Sequence, residues 1–203
     1  AEISTVEQEL TNLFLEYPEV YLDKVSEFKQ EQILYQRLVD IAVNNALLVK
    51  EQGKYRPILE KIYGLRPDLL KRIYQNKELR NNAGFRAALF EFMSGIPANN
   101  LGIIIDYLER ERPFIVTLAG DNKKFNALLG LAEAVFSSQV KEILAKGGNG
   151  KINQKFVDNF YNILKEAVKN DISKARILAQ EVSSGKSSPF RKTVFTYLIV
   201  NFD

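Results

Sequence analysis

Three carboxylates crowd one stretch of this chain: Asp106, Glu109 and Glu111. A pair of carboxylates is the minimum for glycosidase-type acid–base chemistry. Asp106 and Glu109 are three residues apart, which puts them on one side of a helix. Arg110 and Arg112 are interleaved with them. Asp-x-x-Glu among arginines therefore reads as a solvated face carrying ion pairs. Ser137-Ser138 and Ser183-Ser184 supply hydroxyls, but a serine nucleophile needs a placed base, and nothing in the sequence selects one. The chain has no His and no Cys. The commonest general base, thiol chemistry and the usual transition-metal ligands are thus excluded. Only carboxylate sites for hard cations remain, and no calcium-loop pattern occurs.

Two glycine-containing segments invite a phosphate-loop reading. Gly147-Gly148-Asn149-Gly150-Lys151 follows a helical pattern rather than a strand and lacks the Gly-Lys-Ser/Thr ending. Gly185-Lys186-Ser187 has that ending, but Gln180 stands where the first loop glycine belongs. Both read as connecting loops. These patterns predict a protein that is not an enzyme and carries no cofactor and no metal.

One segment rises above this background. Residues 54–86 hold nine bases and three acids, while residues 1–52 hold ten acids and four bases. Arg56-Pro57-Ile58-Leu59-Glu60-Lys61-Ile62-Tyr63 is echoed by Arg66-Pro67-Asp68-Leu69-Leu70-Lys71-Arg72-Ile73-Tyr74. Arginine offers a planar fork of donors for carboxylate or phosphate, and tyrosine adds contact area at low entropic cost. The candidate partner-binding residues are therefore Arg56, Lys61, Tyr63, Arg66, Lys71, Arg72, Tyr74 and Arg80. The expected partner is a protein with an acidic surface, met by an adaptor, scaffold or secreted binding factor. A nucleic-acid backbone on the same face is the alternative, disfavoured by a net charge of only +3 and by the lack of a known reader motif. A non-catalytic or incomplete subunit of an enzyme complex is the second alternative. The plainer reading leaves the charges on a solvated face while Leu59, Ile62, Leu69, Leu70 and Ile73 pack inward. The acidic first 52 residues would then pair with the basic segment inside the molecule.

The elements that must position these residues are all helical. Ser4 and Glu7 have capping-box spacing, so a helix is expected over about 5–17, stopped by Pro18. A short one is expected over 19–28, and a long one over 30–51 with Ile33, Leu34, Leu38, Ile41, Leu48 and Val49 as its apolar stripe. Pro57, Pro67, Pro97 and Pro113 are each expected near the start of a helix, where the missing N–H costs nothing. Gly120-Asp121 predicts a stop followed by a cap, then a helix over about 122–146. Helices over 153–169, 171–183 and 189–201 complete the chain, with Asp171 and Ser188 as N-caps. No segment alternates with a period of two, so no sheet is expected.

Four of these helices open on phenylalanine and repeat apolar residues about four and seven positions later. They are Phe85, Leu89 and Phe92; Phe125, Leu129 and Ala132; Phe156, Phe160 and Ile163; and Phe190, Val194 and Tyr197. That spacing lines one helix face and marks it as core. Over residues 80–203 the recurrence resembles the helical-repeat proteins, the broad class of armadillo, HEAT and tetratricopeptide arrays. The gaps between the phenylalanines are unequal, which departs from a regular array. The fold class predicted is all-α, as an irregular solenoid-like stack or a compact bundle of about 9–12 helices. A single domain over 1–203 is expected, with a subdomain joint at 147–151. The longest apolar runs, such as Ile103-Ile104-Ile105, are far short of the ~20 residues a membrane-spanning helix needs. The chain starts at Ala1, as a processed precursor or an excised piece would. Either a cytoplasmic location or export without disulfides fits the lack of cysteine. Sixteen asparagines alongside many Lys and Ile fit a low-GC source such as a bacterium or a parasite.

Overall fold

The computed structural model describes residues 2–186 and 188–200, without the side chains of residues 2–4, 190, 197 and 198. Among the described residues there are eleven α-helices and no strand. The protein is all-α. None of these helices is long and apolar enough to cross a membrane. The chain divides into two compact units, Ala1–Met93 and Ser94–Asp203. The Gly147–Gly150 loop lies inside the second of them.

The first unit is built from α1 (Glu2–Glu16), α2 (Pro18–Val25), α3 (Gln32–Asn45), α4 (Tyr55–Leu65), α5 (Leu69–Tyr74) and most of α6 (Ala83–Ser94). Pro18 cannot donate an interior hydrogen bond, so α1 stops at Glu16 and Pro18 opens α2. Phe14, Leu22, Val25, Ile58, Leu59 and Ile62 are fully buried. Phe14 meets Tyr21 edge-on with ring centroids 5.4 Å apart. The Tyr21 hydroxyl donates to the Leu38 carbonyl at 2.9 Å, so this buried polar atom is satisfied. Burial pushes the Tyr21 phenol above its ordinary pKa.

α1 already begins at Glu2, ahead of the expected start, and the side chain of Ser4, the expected cap, lies outside the described residues. One expectation for this unit fails: the long helix expected over 30–51 is cut short. α3 ends at Asn45, a 3-10 turn follows over Ala46–Leu48, and Val49 is extended and buried. The Asn45 side-chain amide donates to the Ile41 carbonyl at 2.7 Å. Asparagine competes in this way for backbone groups and weakens helix continuation. The expected stripe is split accordingly: Leu38 and Val49 are buried, whereas Ile33, Leu34 and Leu48 are exposed.

The second unit is built from α7 (Leu101–Leu118), α8 (Asn122–Ala145), α9 (Gln154–Asn170), α10 (Ser173–Ser183) and α11 (Pro189–Val200). α7 packs along α9, and α11 packs on α8 and α10. The Phe-led register is the core register: Phe125, Leu129, Ala132, Phe156, Phe160, Ile163 and Val194 are all buried. Phe85, Leu89 and Phe92 are buried likewise in the first unit. The side chains of Phe190 and Tyr197 lie outside the described residues.

Prolines misplace two boundaries here. Pro97 begins a turn rather than a helix, and α7 starts at Leu101. Pro113 does not start a helix but sits inside α7. An interior proline costs about 3 kcal/mol. Continuing the helix buries Ile115 and Val116, each worth about 1.5–3 kcal/mol, which offsets that cost. The caps agree better. Asp121 accepts from the Lys124 N–H at 3.0 Å, and that bond holds its carboxyl below the ordinary carboxylate range. Asn153 caps α9 through the Phe156 N–H at 3.1 Å. Asp171 accepts from the Ser173 N–H at 3.0 Å, and α10 begins at Ser173 rather than at Asp171. Ser188 accepts from the Arg191 N–H at 3.1 Å.

Gly147 and Gly148 form a helix stop. Both have positive φ, 77° and 80°. The Gly148 N–H donates to the Ile143 carbonyl at 2.9 Å and the Gly147 N–H to Leu144 at 3.1 Å. This is the paired Schellman bonding that satisfies the last carbonyls of a helix. Gly147→Ala is expected to destabilise the protein by about 1–2 kcal/mol, the penalty of a left-handed L-residue. Gly130→Ala, in the interior of α8 with no atom within 4 Å of the new methyl, is expected to stabilise it by about 0.5–1 kcal/mol. Equilibrium urea unfolding of the two variants checks the opposite signs.

Candidate functional site

The basic segment folds as α4, α5 and a 3-10 turn over Lys77–Asn81. Most of its charge is already engaged. Lys61 Nζ lies 2.5 Å from Asp23 of α2. Arg72 Nη1 donates to Asp40 of α3 at 2.6 Å and its Nη2 to Asn44 at 2.6 Å. Arg56 pairs with Glu60 at 3.2 Å and Arg66 with Asp68 at 2.7 Å. Among the eight candidate residues, Lys71 and Arg80 are exposed cations without a partner among the described residues. Tyr63 is half-buried and meets Phe92 edge-on at 5.7 Å. Tyr74 is 4% exposed and belongs to the core. Acidic and basic stretches of the first unit thus meet each other through Asp23 and Asp40.

The carboxylate cluster is dispersed in the same way. Asp106 faces Arg110 at 3.3 Å, and Glu109 faces Lys155 of α9 at 3.2 Å. Glu109 also accepts from the amide of buried Asn159 at 3.4 Å, while Glu111 is itself buried. Ser183 donates to the Gln180 carbonyl at 3.4 Å and Ser184 accepts from the Lys186 N–H at 3.2 Å, so both serve the turn after α10. No group of three acidic side chains converges as metal ligands would, among the described residues.

What the first unit does present is apolar. Val6 is 58% exposed and Ile33 80%, with Leu13, Tyr17, Val20 and Leu34 also exposed. Two hollows adjoin there. One, of about 400 Å³, is lined by Val6, Leu10, Leu34, Leu38 and Ile41 with Glu7 and Arg37. The other, of about 640 Å³, is lined by Ile33 and Leu34 with Glu31 and Arg37. Leu34 and Arg37 are common to both, so the hollows form one strip along α1 and α3. Val6, Leu10 and Leu13 share one apolar stripe of α1 with Phe14. α1 packs on α2 and α3, which covers Phe14 but leaves the rest of its stripe open. The strip is bordered by negative charge. α1 carries four glutamates and no base, and Glu7, Glu9 and Glu31 have no ion-pair partner among the described residues.

The second unit holds polar groups that the sequence reading passed over. Lys174 is 1% exposed. Its ammonium donates to the Gly120 carbonyl at 2.8 Å and to Asn122 Oδ1. It also lies 3.5 Å from Asp171. Arg191 donates to Glu181 at 2.9 Å, and the Ser188 hydroxyl donates to Glu133, which ties α8, α10 and α11 together. Asn159, 3% exposed, bonds Lys155, Glu109 and Arg112 across α7 and α9. A signal was present for two of these. Lys174 is four residues before buried Leu178, and Asn159 is three after Phe156 and four before Ile163, so both occupy core register.

Comparison of the chain with protein families, with curated proteins and with solved structures finds no match.

Proposed function

We propose that this chain is a non-enzymatic protein-interaction module, and that the α1–α3 strip of the first unit is its docking surface. The observation that carries this reading is the exposure of Val6, Ile33 and Leu34 in one strip bordered by unpaired glutamates. Large exposed apolar side chains gathered in a hollow are the usual mark of a contact surface. A groove between two helices suits an amphipathic helix laid along it. Charge selects the occupant: a helix whose apolar stripe is flanked by lysine or arginine matches Glu7, Glu9 and Glu31. Arg37, at the centre of the strip, takes one acidic residue of the partner. The basic segment is the weaker docking surface because Asp23 and Asp40 already occupy Lys61 and Arg72. That pairing also lowers the charge a phosphate backbone would meet.

Fluorescence anisotropy with two labelled helical peptides tests the proposal. Both carry the same leucine stripe, one flanked by lysine and the other by glutamate. The protein should bind the lysine peptide about tenfold more tightly or better, since like charges at the rim are repelled. Val6→Gln with Ile33→Gln should remove the binding, and Glu7→Lys with Glu31→Lys should remove the preference. Equal affinity for both peptides, or unchanged binding by the Val6/Ile33 variant, overturns the reading.

A further inference from the structure

A second surface, wholly within the second unit, points to a small-molecule ligand rather than a protein. A cavity of about 600 Å³ opens between α8, α9 and α11. Its walls are apolar: Phe136 from α8, Phe156, Val157 and Phe160 from α9, and Val194 from α11. Phe136 and Val157 are only half-buried although they stand within the helical core register; the surface they leave open is cavity wall. Cavities of about 300–1,000 Å³ with apolar walls and a few placed polar groups are the usual form of ligand sites.

The mouth is built by the loop after α8. The Gly147–Gly148 stop turns the chain back along the end of that helix. Gly150 then passes so close to Ile143 that a methyl group there would stand 3.0 Å from Cγ1. Three residues on, the Asn153 N–H donates to Gln139 Oε1 at 2.6 Å. The loop is thus held on both sides of Lys151 and Ile152, and both of these line the cavity. Lys151 is the one charged side chain in that lining, and it has no partner among the described residues. An unpaired ammonium placed at an apolar cavity selects a single negative charge on an otherwise apolar molecule.

We propose that this cavity binds a medium- or long-chain carboxylate, with the chain among Phe136, Val157 and Phe160 and the carboxylate on Lys151. Isothermal titration calorimetry with sodium decanoate and with decyltrimethylammonium, which share a chain and differ in head charge, tests it on the whole chain. Decanoate should bind about tenfold more tightly or better, as one charge-assisted contact implies. Lys151→Glu, at an exposed position, should invert the order of the two. Val157→Trp should fill the cavity and weaken both, with helicity unchanged by circular dichroism. Amide shifts on adding decanoate should cluster at residues 132–136, 151–160 and 194. The proposal is overturned by a lack of decanoate binding, by equal affinity for the two head groups, or by the same order in Lys151→Glu as in the wild type. Shifts confined to the α1–α3 strip would overturn it too.

Discussion

Phe125→Ala should lower the unfolding free energy by about 4 kcal/mol, within the range for truncating a fully buried phenylalanine. Phe125 opens the apolar face of α8 and is 0% exposed. Its removal forfeits the transfer energy of the ring and leaves a hole that helices on either side close only in part. The ring also lies beneath the Lys174 ammonium, 5.8 Å from its centroid, and that attraction is worth about 0.5–2 kcal/mol. Against a total stability of about 5–15 kcal/mol for a domain, the change is large enough to shift the urea midpoint clearly. Phe160→Ala makes the informative comparison. Phe160 is buried against Phe156, with ring centroids 4.8 Å apart, but one side of it lines the cavity. Its truncation enlarges an existing void instead of opening a new one, so the loss should be smaller than for Phe125. An equal or larger loss for Phe160 would mean that the cavity is collapsed in solution.

The Phe-led spacing was the legible part of this fold because helix period alone decides which residues share a face. Phe85, Phe125 and Phe156 lie in the core as that period requires. Asp121 and Ser188 were legible as caps for an equally local reason: the acceptor and the N–H it serves are three residues apart. Pro113 shows where local rules stop. Its effect on the helix is a few kcal/mol, and the burial of Ile115 and Val116, which depends on residues far away in sequence, is of the same size. The candidate site was less legible still. The sequence leaves Arg72 open to an outside partner or to the acidic first 52 residues, and only the fold brings Asp40 and Asn44 to it from about thirty residues away. Ile33 reads as core by its period, yet it is 80% exposed. Charge and hydrophobicity are properties of the sequence, but availability for binding is a property of what packs against each residue.

Lys174→Met should lower stability by about 3 kcal/mol, because removing the buried ammonium strands the Gly120 and Asn122 oxygens that it satisfies. Methionine keeps nearly the same length and volume, so the loss reports the ammonium rather than the stem. Lysine has three N–H donors and no acceptor, and three oxygens surround it: Gly120 O, Asn122 Oδ1 and an Asp171 carboxylate oxygen. Gly120 belongs to the turn that ends α7, where carbonyls lack helical partners and a cation is favoured. Lys174 therefore ties α10 to the α7–α8 turn and to the first residue of α8 at once. Acid sensitivity separates its role from that of its neighbour. The Asp171 carboxyl is held below its ordinary range chiefly by the Ser173 hydroxyl, then by the Ser173 N–H, with Lys174 adding to them. A lowered carboxylate pKa gives stability that is present above the ordinary Asp range and is lost as pH falls through the lowered value. Lys174→Met should thus keep part of that acid dependence, whereas Asp171→Asn should remove all of it with a smaller loss at neutral pH. Because Phe125 lies under the same ammonium, the Phe125→Ala/Lys174→Met double-mutant cycle should show a coupling of about 0.5 kcal/mol or more. Additive losses would place the ring and the charge in separate environments, and a Lys174→Met loss below about 1 kcal/mol would mean that water, not Gly120 and Asn122, solvates this lysine.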